Sequence, residues 1–284
     1  MSYLVFDIGG TNTRLALSED GKSFTVVKKI ATPKKPETFI KEIKTLGATV
    51  DNQITVAAGG IRGVLDEDKE SLEKDSHLSA WQGFNLLAAI QAAFPKIEKV
   101  MLENDTALAG LGEAHFGAGM GSEIMVYHTV STGVGGVKIE MGRIDSASVG
   151  FEPGHQTLDI DRTILGPEVM PTLENLVSGT AVEARLGMKP YEIPQEDVLW
   201  NELAGYLAQG LRNSILYWSP EVIVLGGSMI LGDPKIPLDR IREETVLVLD
   251  GFMPCPFITT GKLGDDVGLY GGLALVHNYL AEKT

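Results

Sequence analysis

The chain has 284 residues, 44% of them apolar and 22% charged, with 24 Lys and Arg against 38 Asp and Glu for a net charge of −14. That balance argues against the basic face of a nucleic-acid binder and against attraction to anionic membrane surfaces. One cysteine, Cys255, excludes an intramolecular disulfide and a cysteine-rich metal centre, and reads as a small buried residue in a loop or strand. No apolar run reaches the roughly 18 residues of a membrane helix. No basic-plus-apolar leader opens the chain either, so a cytoplasmic protein is expected.

The first element is a buried strand over 2–7, built on Tyr3-Leu4-Val5-Phe6. It runs into Asp7-Ile8-Gly9-Gly10-Thr11-Asn12, and a second strand follows over 13–18. The glycines therefore join two strands and do not open a helix. A dinucleotide fingerprint needs that helix, and a P-loop needs Gly-Lys-Ser/Thr, so both are disfavoured. What remains is a tight turn whose N–H groups can cradle phosphate oxygens while Asp7 holds a magnesium ion, directly or through water. A plain glycine-rich hairpin is the competing reading.

A third strand is expected at 24–30 and a helix near 36–47, introduced by Pro33 and Pro36. Residues 53–58 read as a strand ending at Gly59-Gly60. Residues 62–82 read as a loop or short hairpin, with the charged run from Asp66 to Asp75 taken as a solvated loop. A helix over 85–94 carries Leu86, Leu87 and Ile90 on one side. The strand at 99–102 ends at Glu103-Asn104-Asp105, and a small-residue helix over 106–116 closes at Gly117-Ala118-Gly119.

The second half repeats this order. A strand at 123–130 meets Ser131-Thr132-Gly133-Val134-Gly135-Gly136, then a strand at 137–140, which hints at an internal duplication. A helix at 196–218 places Leu199, Leu203, Leu207, Leu211 and Ile215 on one face and ends before Pro220. A strand at 221–225 ends in Gly226-Gly227-Ser228, and a strand at 256–260 and a helix at 268–281 finish the chain. The pattern predicts two α/β lobes: a smaller one over 1–116, on which a C-terminal helix at about 270–284 packs back, and a larger one over 117–269. Ligands in open α/β sheets bind beyond the carboxyl ends of strands. Asp7, Gly59, Asn104-Asp105 and Gly226-Gly227 all stand at such ends, so a cleft between the lobes is expected.

Five separated motifs stand in order: Asp7 to Asn12, Glu103-Asn104-Asp105-Thr106-Ala107, Ser131 to Gly136, Glu152-Pro153-Gly154-His155 and Leu225-Gly226-Gly227-Ser228. Together the chain resembles a sugar kinase of the ROK family, within the actin-like/hexokinase superfamily, over nearly its whole length. The resemblance implies a two-lobed actin-like ATPase (ribonuclease H-like) fold with mixed sheets flanked by helices. It implies ATP-dependent phosphorylation of a hexose hydroxyl, the 6-OH of glucose or a similar aldohexose, with Asp105 as general base. Asp105 follows a strand and starts a helix, so an N-cap is its plainer reading.

The resemblance further implies sugar contacts from Gly60, Asn104, Glu152, His155 and Glu174. Nucleotide contacts fall to Asp7, Gly9, Gly10, Thr11, Asn12, Thr132, Gly133, Gly135, Gly226, Gly227 and Ser228, with Asp7 on magnesium through water. The partners implied are a sugar and a nucleotide, with no nucleic acid or membrane; a homodimer is common in the family. Turn residues and a half-buried histidine are the plainer readings of these positions.

Two departures matter. Many family members build a zinc site from the histidine of the Glu-x-Gly-His motif and three cysteines, and residues 156–178 hold none, so zinc is not expected. His77 stands where the family carries an asparagine on the sugar, which leaves the sugar open. N-acetylhexosamine or fructose kinase activity, and polyphosphate as donor, are the alternatives within the family. Other classes are a non-catalytic sugar sensor or repressor, for which Asp7 leaves no preceding DNA-binding module, and an actin-like ATPase.

Overall fold

The N-terminal apolar run forms β1 (Ser2–Ile8) in a computed structural model that describes residues 2–50, 53–75, 77–147 and 150–283. The outer ends of the expected lobes and C-terminal helix, Met1 and Thr284, lie outside these residues. Two units result, one of residues 1–116 with 263–284 and one of residues 117–262.

In the first unit β1 pairs antiparallel with β2 (Asn12–Ser18), and β2 with β3 (Val26–Ala31). Helix α1 (Pro36–Ala48) leads to β4 (Ile54–Ile61), which lies parallel to β1. The 62–82 segment holds a two-stranded hairpin, β5 (Val64–Leu65) with β6 (Leu72–Lys74). Helix α2 (Leu86–Ala93), capped by Asn85 Oδ1 on Ala88 N–H, precedes β7 (Lys99–Asn104), parallel to β4. Helix α3 (Asp105–Phe116) follows β7 without a connecting residue.

The second unit opens with β8 (Ile124–Val130), β9 (Val134–Glu140) and β10 (Arg143–Ile144), all antiparallel neighbours. Then come α4 (Leu173–Val177), α5 (Gly179–Leu186) and α6 (Leu199–Trp218). β11 (Val222–Gly226) is followed by α7 (Ser228–Leu231), α8 (Leu238–Leu249) and β12 (Phe257–Thr260). β11 runs parallel to both β8 and β12. The chain returns to the first unit as α9 (Val267–Glu282).

The sheet orders are β3-β2-β1-β4-β7 and β10-β9-β8-β11-β12. In chain order both read third, second, first, fourth, fifth, with the same directions. This is the duplication hinted at by the two glycine turns.

Strand periodicity decides which way Asp7 points. Side chains alternate along a strand. On β1, Leu4, Phe6 and Ile8 join Phe39, Ile43, Trp81, Leu86 and Ile90 in one buried cluster. Tyr3 and Val5 join Leu269, Leu273 and Val276 of α9 in another. Asp7 is in phase with the second set and so faces α9. Burying each large apolar side chain contributes on the order of 1.5–3 kcal/mol, so a register slip that exchanged the two faces of β1 would be expensive.

The second unit gathers its core around α6, where Leu203, Leu207, Leu211 and Ile215 are buried against Ile241 and Leu249 of α8. Helix α6 begins at Leu199, three residues later than its spacing suggested, because Asp197 and Pro194 occupy a preceding turn that hydrogen-bonds Asp197 N–H to Pro194 O. Strand β9 begins at Val134, so Gly135 and Gly136 lie in a strand and pair with Thr129 and His128. Cys255 is partly buried in the loop before β12.

Candidate active site

In the first unit the ends of three parallel strands converge. The register sets Asp7 opposite Gly60, and Gly60 opposite Glu103. Gly60 is buried, and a Cβ there would come within 2.8 Å of Leu108 Cδ2 and 3.3 Å of Asp105 Cα. What the structure gives Gly60 is spacing: it lets the start of α3 close onto β4.

Asp105 is the first residue of α3, and its Oδ1 accepts the Thr106 N–H at 2.8 Å. Burial pushes its pKa up, opposed by the Thr106 N–H and the Arg62 cation, while the charge of Asp75 adds to the rise. Asp7 is raised to about 7 by burial and then by the charge of Asp105, with Arg14 pulling the other way. Two carboxylates in mutual repulsion at the carboxyl ends of strands suit a site that receives a cation and a proton.

Asn104 spends most of its amide on the chain. Its Oδ1 accepts from Thr106 N–H at 2.9 Å and Ala107 N–H at 3.2 Å, and its Nδ2 donates to Gly63 O at 2.9 Å. One Nδ2 hydrogen remains for a ligand. Next to it, buried Glu103 pairs with Lys69 Nζ at 2.6 Å.

The Gly9–Asn12 turn is closed by Gly9 N–H on Asn12 O at 3.0 Å. Thr32 secures it from β3's end, donating from N to Thr11 O at 2.9 Å and from Oγ1 to Gly9 O at 2.7 Å. The Gly10 N–H makes no hydrogen bond to a described residue, Gly10 is half-buried and Thr11 is exposed.

Residues that the charge run concealed complete this unit. Asp75 is not solvated: its side chain is 6% exposed and accepts from Arg62 Nε at 3.0 Å and from the N–H groups of His77 and Leu78 at 2.7 and 2.8 Å. Burial raises the Asp75 pKa, but these donors outweigh it and hold the carboxyl low. His77 is exposed. The signal available in the sequence was Arg62, two residues after Gly59-Gly60 towards the end of β4.

In the second unit the other expected residues gather at the ends of β8 and β11. The Ser131–Gly133 turn closes with Ser131 N–H on Gly133 O at 2.8 Å. Glu174, in the first turn of α4, accepts the Val134 N–H at 2.8 Å and lies where a Cβ on Gly133 would be 2.7 Å from its Oε2. Glu174 thus braces the glycine turn.

Gly154 packs beneath Val134 and Pro153 beside Gly136, which sets the exposed Glu152 and His155 next to that turn. Gly226 leaves room for the Tyr127 hydroxyl. Gly227 (φ +88°) lies against Val130 O, and Ser228 Oγ stands 3.0 Å from Ser131 Oγ. Thr132 is exposed, whereas Gly135 belongs to β9.

After His155 the chain is organised by its own side chains. Asp159 accepts N–H bonds from Thr163, Ile164 and Leu165, and Arg162 donates to Val169 O. With no cysteine between residues 156 and 178, a zinc site of one histidine and three cysteines has no thiolate ligands here.

The sequence model of the ROK family matches residues 3–279. The chain belongs to the ROK family. A fructokinase of Lactococcus lactis subsp. cremoris is 28% identical over 89% of this chain and 87% of its own length. A glucokinase of Thermotoga maritima is 25% identical over 95% of each chain. The crystal structure of a ROK hexokinase from Thermus thermophilus superposes with a TM-score of 0.84 at 25% identity, covering 99% of this chain and 100% of that one. The repeated sheet order of this ROK chain is accordingly that of the actin-like ATPase fold.

Proposed function

We propose that this ROK protein transfers the terminal phosphoryl group of ATP to a hexose hydroxyl, the 6-OH of glucose or a similar aldohexose. The class is that of its relatives, a phosphotransferase with a sugar alcohol as acceptor. The observation that carries the reading is the grouping of Asp7, Asp105 and the Gly9–Asn12 turn at adjoining strand ends.

Phosphoryl transfer asks a protein for positioning, charge neutralisation and a group to accept the hydroxyl proton. Asp105 takes that proton. Its raised pKa makes it a stronger base than a free aspartate, and the Arg62 cation opposes that rise by favouring the ionised form. Asp7 and the N–H groups of the Gly9–Asn12 turn receive phosphate, as do Thr132, Gly133 and the Gly226–Ser228 turn, with Gly135 supporting from β9. Glu152, His155, Glu174 and the spare Asn104 hydrogen recognise sugar hydroxyls, which suits a carboxylate acceptor and an amphoteric imidazole.

Among the described residues no three His, Cys, Asp or Glu side chains are grouped to capture a metal by themselves. A magnesium ion brought in by the phosphates fits Asp7, whose carboxyl pKa is held up at about 7 by burial and whose ionised form a bound cation would favour. It would supply charge neutralisation there.

Fructose is the second reading, favoured by the Lactococcus relative. A coupled ADP-release assay over glucose, fructose, mannose, N-acetylglucosamine and N-acetylmannosamine tests both, and sugar-phosphate formation is measured directly with polyphosphate as a second donor, since that donor releases no ADP. Release that depends on glucose supports the main reading, and preference for fructose supports the second. ADP release without any sugar contradicts both and favours a plain ATPase.

A further inference from the structure

Arg62 is fixed at two points and open at a third. Its backbone N–H donates to Ile8 O at 2.9 Å, which ties it to the strand end that feeds the Gly9–Gly10 turn. Its Nε is held by Asp75 at 3.0 Å, and Asp75 is itself held by two backbone N–H groups. Both Nη groups make no hydrogen bond to a described residue, and the side chain is 31% exposed. A Cβ built on Gly10 would lie 3.5 Å from Nη1, so the open edge of the guanidinium stands over the turn.

We propose that Arg62 contacts the transferred phosphoryl group: anchored by Asp75 along one edge, it presents its Nη donors to the terminal phosphate of a nucleoside triphosphate lying on the Gly9–Gly10 turn. This rests on the kinase reading above. A guanidinium offers planar, paired donors that match phosphate oxygens, which an ammonium cannot do. One edge of the guanidinium is spent on Asp75 and the other is kept clear. The same cation sits within electrostatic reach of Asp105, so it serves acceptor and donor together.

The test is calorimetric binding of MgAMPPNP and MgADP to the full chain and to Arg62→Gln, Arg62→Lys and Asp75→Asn, with circular dichroism to confirm folding. A lost charge-assisted hydrogen bond is a loss of about 10–100-fold. Arg62→Gln should weaken MgAMPPNP by that factor and MgADP by less than about twofold. Arg62→Lys and Asp75→Asn should fall between the wild type and Arg62→Gln, which keeps the question answerable if Arg62→Gln does not fold. Equal losses for both nucleotides, or none, overturn the role of Arg62 and leave the kinase reading standing. A wild-type chain that binds neither nucleotide overturns the kinase reading and this proposal with it.

Discussion

Gly268, near the start of α9, gives the Asp7 carboxylate its room: a Cβ at Gly268 would lie 2.5 Å from Asp7 Cγ and Oδ2 and 2.9 Å from Asp7 Cβ. Asp7 is short and rooted in a central strand, so it has no slack to move aside. Alanine in a helix ordinarily gains up to about 1 kcal/mol over glycine. Here overpacking of about 1–3 kcal/mol opposes that gain. Gly268→Ala should lower the melting temperature and, by turning Asp7 away, lower turnover at least about tenfold, checked by calorimetry and ADP release. An unchanged variant would show that Asp7 does not need this position.

Asp7 also makes the ligand-free protein lose stability as pH rises towards neutrality. Its carboxyl titrates near 3.8 unfolded and at about 7 folded, so between those values the folded chain holds the extra proton. Stability contributed by this group is full below about pH 4 and is lost as pH rises to about 7. The loss is about 4 kcal/mol at 1.36 kcal/mol per pKa unit. Asp7→Asn should therefore be more stable than the wild type at pH 8 and close to it at pH 4. Urea unfolding at both values checks this.

His128 acts with the opposite sign. It is fully buried, bonded at Nε2 to Ser214 Oγ at 2.9 Å, with Nδ1 unpartnered among the described residues and set against Gly136. Burial holds its pKa down at about 4, against 6.5 unfolded. Between those values the unfolded chain takes the proton and the folded one does not, so stability falls as pH drops from about 6.5 to 4, by about 3 kcal/mol. His128→Leu should lack that slope. Because Asp7 opposes it over the same range, the slope is read as the difference between wild type and variant.

Glu174 separates bracing from sugar contact. Removing the acceptor of the buried Val134 N–H costs about 1–3 kcal/mol. Glu174→Ala should lower the melting temperature and raise the KM for both substrates, as the turn at Gly133 loosens. Glu174→Gln keeps a carbonyl acceptor, so it should hold the melting temperature while raising only the KM for sugar. A Gln variant with unchanged sugar KM would reduce Glu174 to a brace.

Much of this was legible in the sequence wherever one residue's chemistry was local. Strand β1, the glycine hairpin and α6 follow from apolar spacing and turn residues alone. Helix α8 was missed because Asp239, Arg240, Arg242, Glu243 and Glu244 surround its few inward residues, Ile241, Thr245 and Leu249, and Pro237 offers no side-chain cap. Asp75 was misread for a different reason. Its partner Arg62 lies thirteen residues away across a hairpin, and a charge run shows nothing of which member is buried. Gly268 was invisible, since its meaning depends on a strand more than 250 residues earlier. Glu174 was singled out for sugar contact, but its bracing role was hidden, because its bond to Val134 spans 40 residues.

The most direct test of the account is Asp105→Asn, measured for turnover and for binding of sugar and MgAMPPNP. The side chain keeps its size and an oxygen for the Thr106 N–H, so binding should stay within about twofold. Turnover should fall by about 10²–10⁴, the worth of a general base. A variant that phosphorylates sugar at a near wild-type rate would contradict the account.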